Sequence, residues 1–245
     1  GDIYFKDKRY TDALAKFQRA IDLSPANLKY RFKLAKIYSS KGQLKEAVET
    51  YKQAVKIDPK SGAAFYNLGL LYIEQKDIEK ARESLEMSVG VDASSFEPHK
   101  ALSRIYSQEK KYDKAIDEIS EAIKLKYDEP SLRLTLGTLL LKSGKENQAE
   151  KVFKKTAELF PKNFLVQNHI ADWYFTRRLY DKSLEIYKTA ENLDSDNPVV
   201  QARLGKIFAD KNKYEQAQRA LEKAIKLNPK DAQSHYEFGK LVSSQ

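Results

Sequence analysis

The chain contains no cysteine, which removes disulfides, thiolate metal sites and cysteine nucleophiles together. A cystine-stapled secreted module is therefore excluded, while the redox compartment stays open. Long apolar runs are missing too. Lys, Asp, Glu or Gln interrupts each hydrophobic stretch well short of the roughly 18 residues that a membrane-crossing helix needs. Neutral-pH acid/base candidates are scarce, with only 3 histidines. None of the local signatures GxSxG, GxxxxGK[ST], GxGxxG or HExxH occurs, so nucleophile, nucleotide and zinc-protease chemistry has no local support. What remains is 245 residues, 41% hydrophobic, with 44 Lys+Arg against 35 Asp+Glu and a net charge of +9. That is enough apolar material for one large core or two small ones. The basic balance permits an acidic-protein or nucleic-acid partner, although with 32% charged residues most of the excess is solvated surface.

The organising feature is a repeat of period 34. Leu34, Leu68, Leu102, Leu136, Ile170, Leu204 and Phe238 recur without insertion or deletion. The next position is small: Gly1, Ala35, Gly69, Ser103, Gly137, Ala171, Gly205 and Gly239. Three residues on stands a large side chain: Tyr4, Tyr38, Tyr72, Tyr106, Leu140, Tyr174, Phe208 and Val242. The spacing i, i+1, i+4 places all three on one helical face, and the small member lets a neighbouring helix approach closely. A second set follows in each unit. Ala13, Ala47, Ala81, Ala115, Ala149, Ser183 and Ala217 are each followed four residues later by a large residue, from Phe17 to Leu221, and three further on by a small one, from Ala20 to Ala224. This is a second helix with a narrow small-large-small stripe. Pro25, Pro59, Pro161 and Pro229 lie just beyond it, where proline cannot continue a helix. Each unit therefore reads as a helical hairpin. Ser40–Gly42 and Lys142–Gly144 mark the break between its helices in two units.

These residues resemble the tetratricopeptide repeat (TPR) family over the whole chain: large-Gly-x-x-Tyr, then Ala-x-x-x-Phe, then Ala, then Pro. The register divides the sequence into a partial unit at 1–27, complete units at 28–61, 62–95, 96–129, 130–163, 164–197 and 198–231, and a partial unit or capping helix at 232–245, read as one continuous solenoid domain. Both ends fall inside a unit, so a longer parent protein is expected. The family's tryptophan near the start of the unit is replaced by Arg31, Phe65, His99, Arg133, Gln167, Gln201 and His235, and Glu146 takes an aromatic position, making the fourth complete unit the softest joint.

The resemblance implies an all-α fold, a right-handed superhelical solenoid of antiparallel hairpins whose first helices line a concave groove. Positions that fall on this face are Phe32, Lys33, Lys36, Tyr66, Asn67, Leu70, Ile73, Lys100, Arg104, Leu134, Leu141, His169, Phe175, Arg203 and Lys206. Apolar and basic residues alternate there, which suits an extended or helical peptide with apolar anchors and acidic side chains. Some family members clamp a terminal carboxylate. Here Lys36 and Asn67 match that clamp, but Phe32, Glu97 and Ala101 occupy its other places. His99 and His235 share one repeat position facing the hairpin interior and read as structural. His169 with Asp172 lacks further ligands for a metal, and Trp173 reads as a flank residue beside the core Tyr174. The expectation is a non-enzymatic protein-interaction scaffold without cofactor. Two alternatives come from other classes: a regulatory or substrate-docking arm of a larger enzyme, and a nucleic-acid-binding helical repeat. The scattering of the basic residues disfavours the latter. Stacking faces at the ends would also permit self-association.

Overall fold

The computed structural model describes residues 10–243, so Gly1 and Tyr4 of the repeat series lie outside the described residues. Among the described residues the chain forms fourteen α-helices: α1 (Tyr10–Leu23), α2 (Leu28–Ser40), α3 (Leu44–Ile57), α4 (Gly62–Glu74), α5 (Ile78–Val91), α6 (Phe96–Gln108), α7 (Tyr112–Leu125), α8 (Pro130–Lys142), α9 (Glu146–Leu159), α10 (Phe164–Thr176), α11 (Tyr180–Leu193), α12 (Pro198–Asp210), α13 (Tyr214–Leu227) and α14 (Ala232–Ser243). No strand occurs among the described residues. The fold is an all-α solenoid in which the even-numbered, leading helices alternate with the odd-numbered, trailing ones. Its residues group into two compact units, 1–132 with 142–144, and 133–141 with 145–245.

In the first unit the hairpins α2/α3, α4/α5 and α6/α7 pack internally, and the trailing helices α1, α3 and α5 each pack on the next leading one. One core of this unit joins Ala13, Phe17, Ile21, Leu34 and Ile37. In the second unit α10/α11 and α12/α13 repeat the arrangement, with a core of Ala171, Leu184, Tyr187, Ala190, Val200, Leu204, Ile207 and Ala220. The small position of the leading helix explains how closely the hairpins pack. A Cβ at Gly69 would lie 2.7 Å from Cγ of Leu85, and one at Gly205 would lie 2.6 Å from Cγ of Leu221. Where serine replaces a small apolar residue, its hydroxyl is satisfied across the hairpin. Ser103 donates to the Ala115 carbonyl at 2.7 Å, and Ser183 donates to that of Ala171 at 3.0 Å.

Among the described residues the turn inside each of the six hairpins is the same. Gly42 and Gly144 have φ of 73° and 77°, and Lys76, Lys110, Arg178 and Asn212, at the same register, have φ of 63°, 60°, 58° and 58°. The next residue's N–H then reaches back to the carbonyl four residues before the left-handed one. Gln43 bonds Tyr38, Asp77 bonds Tyr72, Lys111 bonds Tyr106, Lys145 bonds Leu140, Leu179 bonds Tyr174 and Lys213 bonds Phe208. This closes the leading helix as a Schellman-type cap does. The sequence signal marked the turn only where glycine fills the left-handed position. Elsewhere a long or polar side chain carries the conformation at a cost of about 1–2 kcal/mol.

That difference is testable by urea denaturation. Gly144→Val is expected to lower stability by about 1–2 kcal/mol, whereas Lys110→Gly is expected to raise it by up to about 1 kcal/mol, because the relief of strain exceeds glycine's greater unfolded-state entropy.

Candidate functional site

In the first unit the leading helices α2, α4 and α6 place Phe32, Tyr66 and Lys100 at one register and Lys36, Leu70 and Arg104 at another, each 34 residues apart. Phe32 is half-buried against the ring of Tyr51, with centroids 5.4 Å apart. Tyr66 is half-buried, and its hydroxyl is pushed above its ordinary pKa by burial and then by the charge of Glu97. Leu70 is 38% exposed and Ile73 is half-buried on the same helix. Asn67 is committed to its own helix, donating to the Ala63 carbonyl at 2.7 Å. Lys33 is half-buried and Lys36 exposed. Lys100 and Arg104 are exposed, and neither forms an ion pair among the described residues. These three helices carry Lys29, Arg31, Lys33, Lys36, Lys100 and Arg104 against Glu74 and Glu97 only.

The second unit treats its cations differently. Arg203 is half-buried, with its guanidinium 4.5 Å from the centroid of Phe175 and its Nε 3.2 Å from Oδ1 of Asp172. Asp172 also accepts from the Tyr187 hydroxyl at 2.6 Å and from Nδ2 of Asn168 at 3.4 Å. Lys206 lies 3.1 Å from Asp210 and 3.3 Å from Glu237 of α14. Burial favours its neutral form, but the two carboxylates outweigh that and raise its pKa. Phe175 further packs on Tyr180 and Tyr187, at 5.8 Å and 6.4 Å. Leu134 and Leu141 are half-buried. His169 is exposed, its ring 6.0 Å from that of Phe153. Trp173 is buried rather than on the flank. It packs on Phe153 at 5.0 Å and Tyr174 at 4.6 Å, beneath the guanidinium of Arg177, which in turn pairs with Glu146. Among the described residues no group of three His, Asp or Glu side chains converges as a metal site.

The polar residues at the family's tryptophan position have a shared role that the sequence reading missed. Arg31 donates to the Pro25 carbonyl, Gln167 to those of Ala157 and Phe160 at 3.0 and 3.1 Å, and Gln201 to that of Ser195 at 3.0 Å. Each fastens a leading helix to the loop before it. His99 is buried and bonds Glu118 of α7 at 2.7 Å. His235 departs from the expected interior placement. It is exposed, with Nε2 3.0 Å from the Pro229 carbonyl, because no described helix covers α14 as α7 covers α6. The available signal was a hydrogen-bonding side chain recurring where an aromatic belongs.

Two measurements follow from these contacts. Gln167→Leu leaves two carbonyls without their partner and is expected to destabilise the chain by about 1–3 kcal/mol in urea melts. Burial, the leading cause in each case, also raises the hydroxyls of Tyr51, Tyr106 and Tyr174 from 10.0 to about 12, and that of Tyr187 further. Between those values the unfolded chain has lost protons that the folded chain keeps, so stability falls as pH rises. The melting temperature is expected to decline above pH 10, less steeply for Tyr106→Phe; equal slopes would refute the assignment.

Comparison with known proteins places these features. Residues 1–197 match the family model described as the cilia and flagella-associated protein 70 C-terminal domain, and residues 205–245 match a TPR repeat model. Anaphase-promoting complex subunit 3 of Schizosaccharomyces pombe is 28% identical over 106 residues, which is 43% of this chain and 16% of that protein. The crystal structure of the C-terminal part of a TPR repeat-containing protein from Cytophaga hutchinsonii superposes with a TM-score of 0.79 at 14% identity, covering 96% of this chain and 97% of that one. YrrB, described as a TPR protein with an unusual peptide-binding site, has a TM-score of 0.60 at 18% identity over 77% of this chain and 97% of its own. The chain spans only a small part of the curated relative, but the family model covers most of the chain, its repeat signature continues to residue 245, and the helices follow it: the chain belongs to the tetratricopeptide-repeat family, within the group described as the C-terminal domain of cilia and flagella-associated protein 70.

Proposed function

We propose that the chain is a non-enzymatic protein-interaction scaffold whose first unit holds an extended or helical segment of a partner protein and thereby supports assembly of a complex. The observation that carries this reading is the exposed pair Lys100 and Arg104, without an ion pair among the described residues, at the registers that Tyr66 and Leu70 occupy on the preceding leading helix. A ligand with alternating apolar and acidic side chains meets both chemistries. Apolar burial at about 25 cal/mol per Å² supplies the affinity. Exposed ion pairs add only about 0.2–1 kcal/mol each and act mainly on register and encounter rate. In the second unit Arg203 and Lys206 already have their carboxylates, so acid recognition is assigned to the first. Two relatives are in keeping with this: YrrB is described as having a peptide-binding site, and the fission-yeast relative is by name a subunit of a complex.

Fluorescence anisotropy with a labelled peptide alternating Leu or Phe with Asp or Glu tests the reading. The double variant Lys100→Glu, Arg104→Glu is expected to bind at least about tenfold more weakly, which is about 1.4 kcal/mol, with an unchanged far-ultraviolet circular dichroism spectrum. Undiminished binding by the variant, or tight binding of single-stranded RNA with a steep salt slope and none of the peptide, would overturn it.

A further inference from the structure

Most trailing helices carry aliphatic side chains at two registers that pack toward the next leading helix. One register holds Leu14, Val48, Ile116 and Leu184, and the other holds Ile21, Val55, Val89, Ile123 and Ile225. Leu14 and Ile21 join the core of Leu34 in this way, and Leu184 joins that of Leu204. Helix α9 instead has Glu150 at the first register and Ala157 at the second. A carboxylate and a lone methyl leave apolar surface uncovered, and a cleft of about 610 Å³ opens there between the trailing helices α9 and α11. Its floor is Ala157, the buried Ile170 and Tyr174 of α10, and the half-buried Ile186 of α11. The size lies within the range of specific ligand sites. None of the candidate groove residues of the leading helices lines it.

The rim holds three lysines and three glutamates, so net charge selects nothing, but their pairing does. Lys182 bonds Glu150 from the opposite wall, the Tyr174 hydroxyl donates to the same carboxylate at 3.4 Å, and the bond from Lys182 holds the Glu150 carboxyl below its ordinary pKa. Those two charges are committed to each other. Lys151 and Lys154 on α9, Glu158 at its end and Glu185 on α11 are exposed, and none forms an ion pair among the described residues. A fitting ligand therefore carries an apolar side chain for the floor and charges of both signs beside it. The walls also select its backbone. An extended segment would bring unpaired N–H and C=O groups and find one amide, Asn147, besides the rim charges to meet them, whereas a helix arrives with those groups already bonded. From Asn147 to Glu158 the α9 wall runs for about 16 Å, or three turns. Its lining residues recur at spacings of three and four, which is the ridge spacing against which another helix packs.

We infer that this cleft docks an amphipathic helix of a partner protein, which sets a leucine or isoleucine on Ala157, Ile170 and Ile186, faces Lys151 and Lys154 with acids, and faces Glu158 and Glu185 with bases. The partner thereby brings to α9 the aliphatic side chain that other trailing helices carry themselves. The inference does not rest on the proposed function: it concerns the second unit, its trailing helices and a ligand of different shape and charge.

The test is a ¹⁵N-amide NMR titration of the whole chain with an N-acetylated, C-amidated, alanine-based helical peptide of about four turns. It bears Leu at i and i+4, Glu along one flank of that stripe and Lys along the other. The peptide is expected to shift the amides of residues 150–158 and 182–186. Replacing both Leu by Ser should weaken binding at least about tenfold, and giving both flanks Glu, or both Lys, should weaken it at least about threefold. Ala157→Ile, which restores the aliphatic residue of the other repeats, should abolish the response and raise the melting temperature. Lys151→Glu combined with Lys154→Glu, at exposed positions, should weaken binding at least about threefold with the melting temperature unchanged. Unmoved amides, equal binding of the Ser peptide or of both single-sign peptides, an equal response to a proline-interrupted peptide that cannot form the helix, or a native response in both variants would overturn the inference. So would a concentration-dependent shift of the same amides without peptide, which would make a second copy the occupant. Amides 66–73 and 100–104 report on the first unit separately, so failure of one reading is distinguishable from failure of the other.

Discussion

A leading helix and its trailing partner approach until a single Cβ would collide: at Gly69 and Gly205 the added carbon would sit within 3 Å of a leucine side chain. The rest of the architecture follows from this contact. In these two units only glycine's hydrogen fits at that point on the leading helix, other units carry no more than alanine or serine there, as at Ala35, Ser103 and Ala171, and a large residue lies opposite. The hairpin is thereby held in one register, since sliding either helix would put two large residues together. A hairpin packed this way still has an uncovered apolar side, and its neighbour supplies the cover, which is why stability in such arrays comes from successive nearest-neighbour contacts rather than from one central core.

With packing confined to a narrow stripe, the other faces of the leading helices are released from structural duty, and their chemistry differs between the two units. In the first, cations outnumber acids, and two of them, Lys100 and Arg104, stand in solvent without a carboxylate. In the second, Arg203 and Lys206 at related registers are drawn into Asp172, Asp210 and Glu237. At one repeat position, therefore, Arg104 stands in solvent without an ion pair among the described residues, whereas Lys206 is part of a completed internal bridge. The difference arises four residues away in sequence, at Asp210, or on a neighbouring leading helix, at Asp172 and Glu237.

Polar residues inside the repeat also serve the joints. Arg31, Gln167, Gln201 and His235 occupy the place of an aromatic in the family pattern, yet each bonds a carbonyl of the preceding loop. A tryptophan would cover such a loop by area alone, whereas these side chains bond its carbonyls directly, and Gln167 satisfies those of the buried Ala157 and the half-buried Phe160. Glu146 is a parallel case: where other units have an aromatic, it pairs with Arg177, which lies over Trp173. The pattern departures that looked like losses in the sequence are exchanges of apolar area for directed bonds.

The period of 34, the large-small-large stripe and the small-large-small stripe were enough to establish the all-α hairpin architecture and the family, because these features depend on spacing along one helix and spacing is written directly in the chain. The glycine turns at Gly42 and Gly144 were legible for the same reason. The matching left-handed residues Lys76, Lys110, Arg178 and Asn212 were not, since their conformation is imposed by the packed helices on either side rather than preferred by the residue. Which cations stay in solvent, that His235 is exposed while His99 is buried, and that Glu150 and Ala157 leave a cleft between α9, α10 and α11 were decided only in three dimensions. Those outcomes rest on partners about 30 residues away, as with Arg203 and Asp172 or Lys206 and Glu237, and charge pairing across that separation is set by where the helices stack, not by the local pattern of either one.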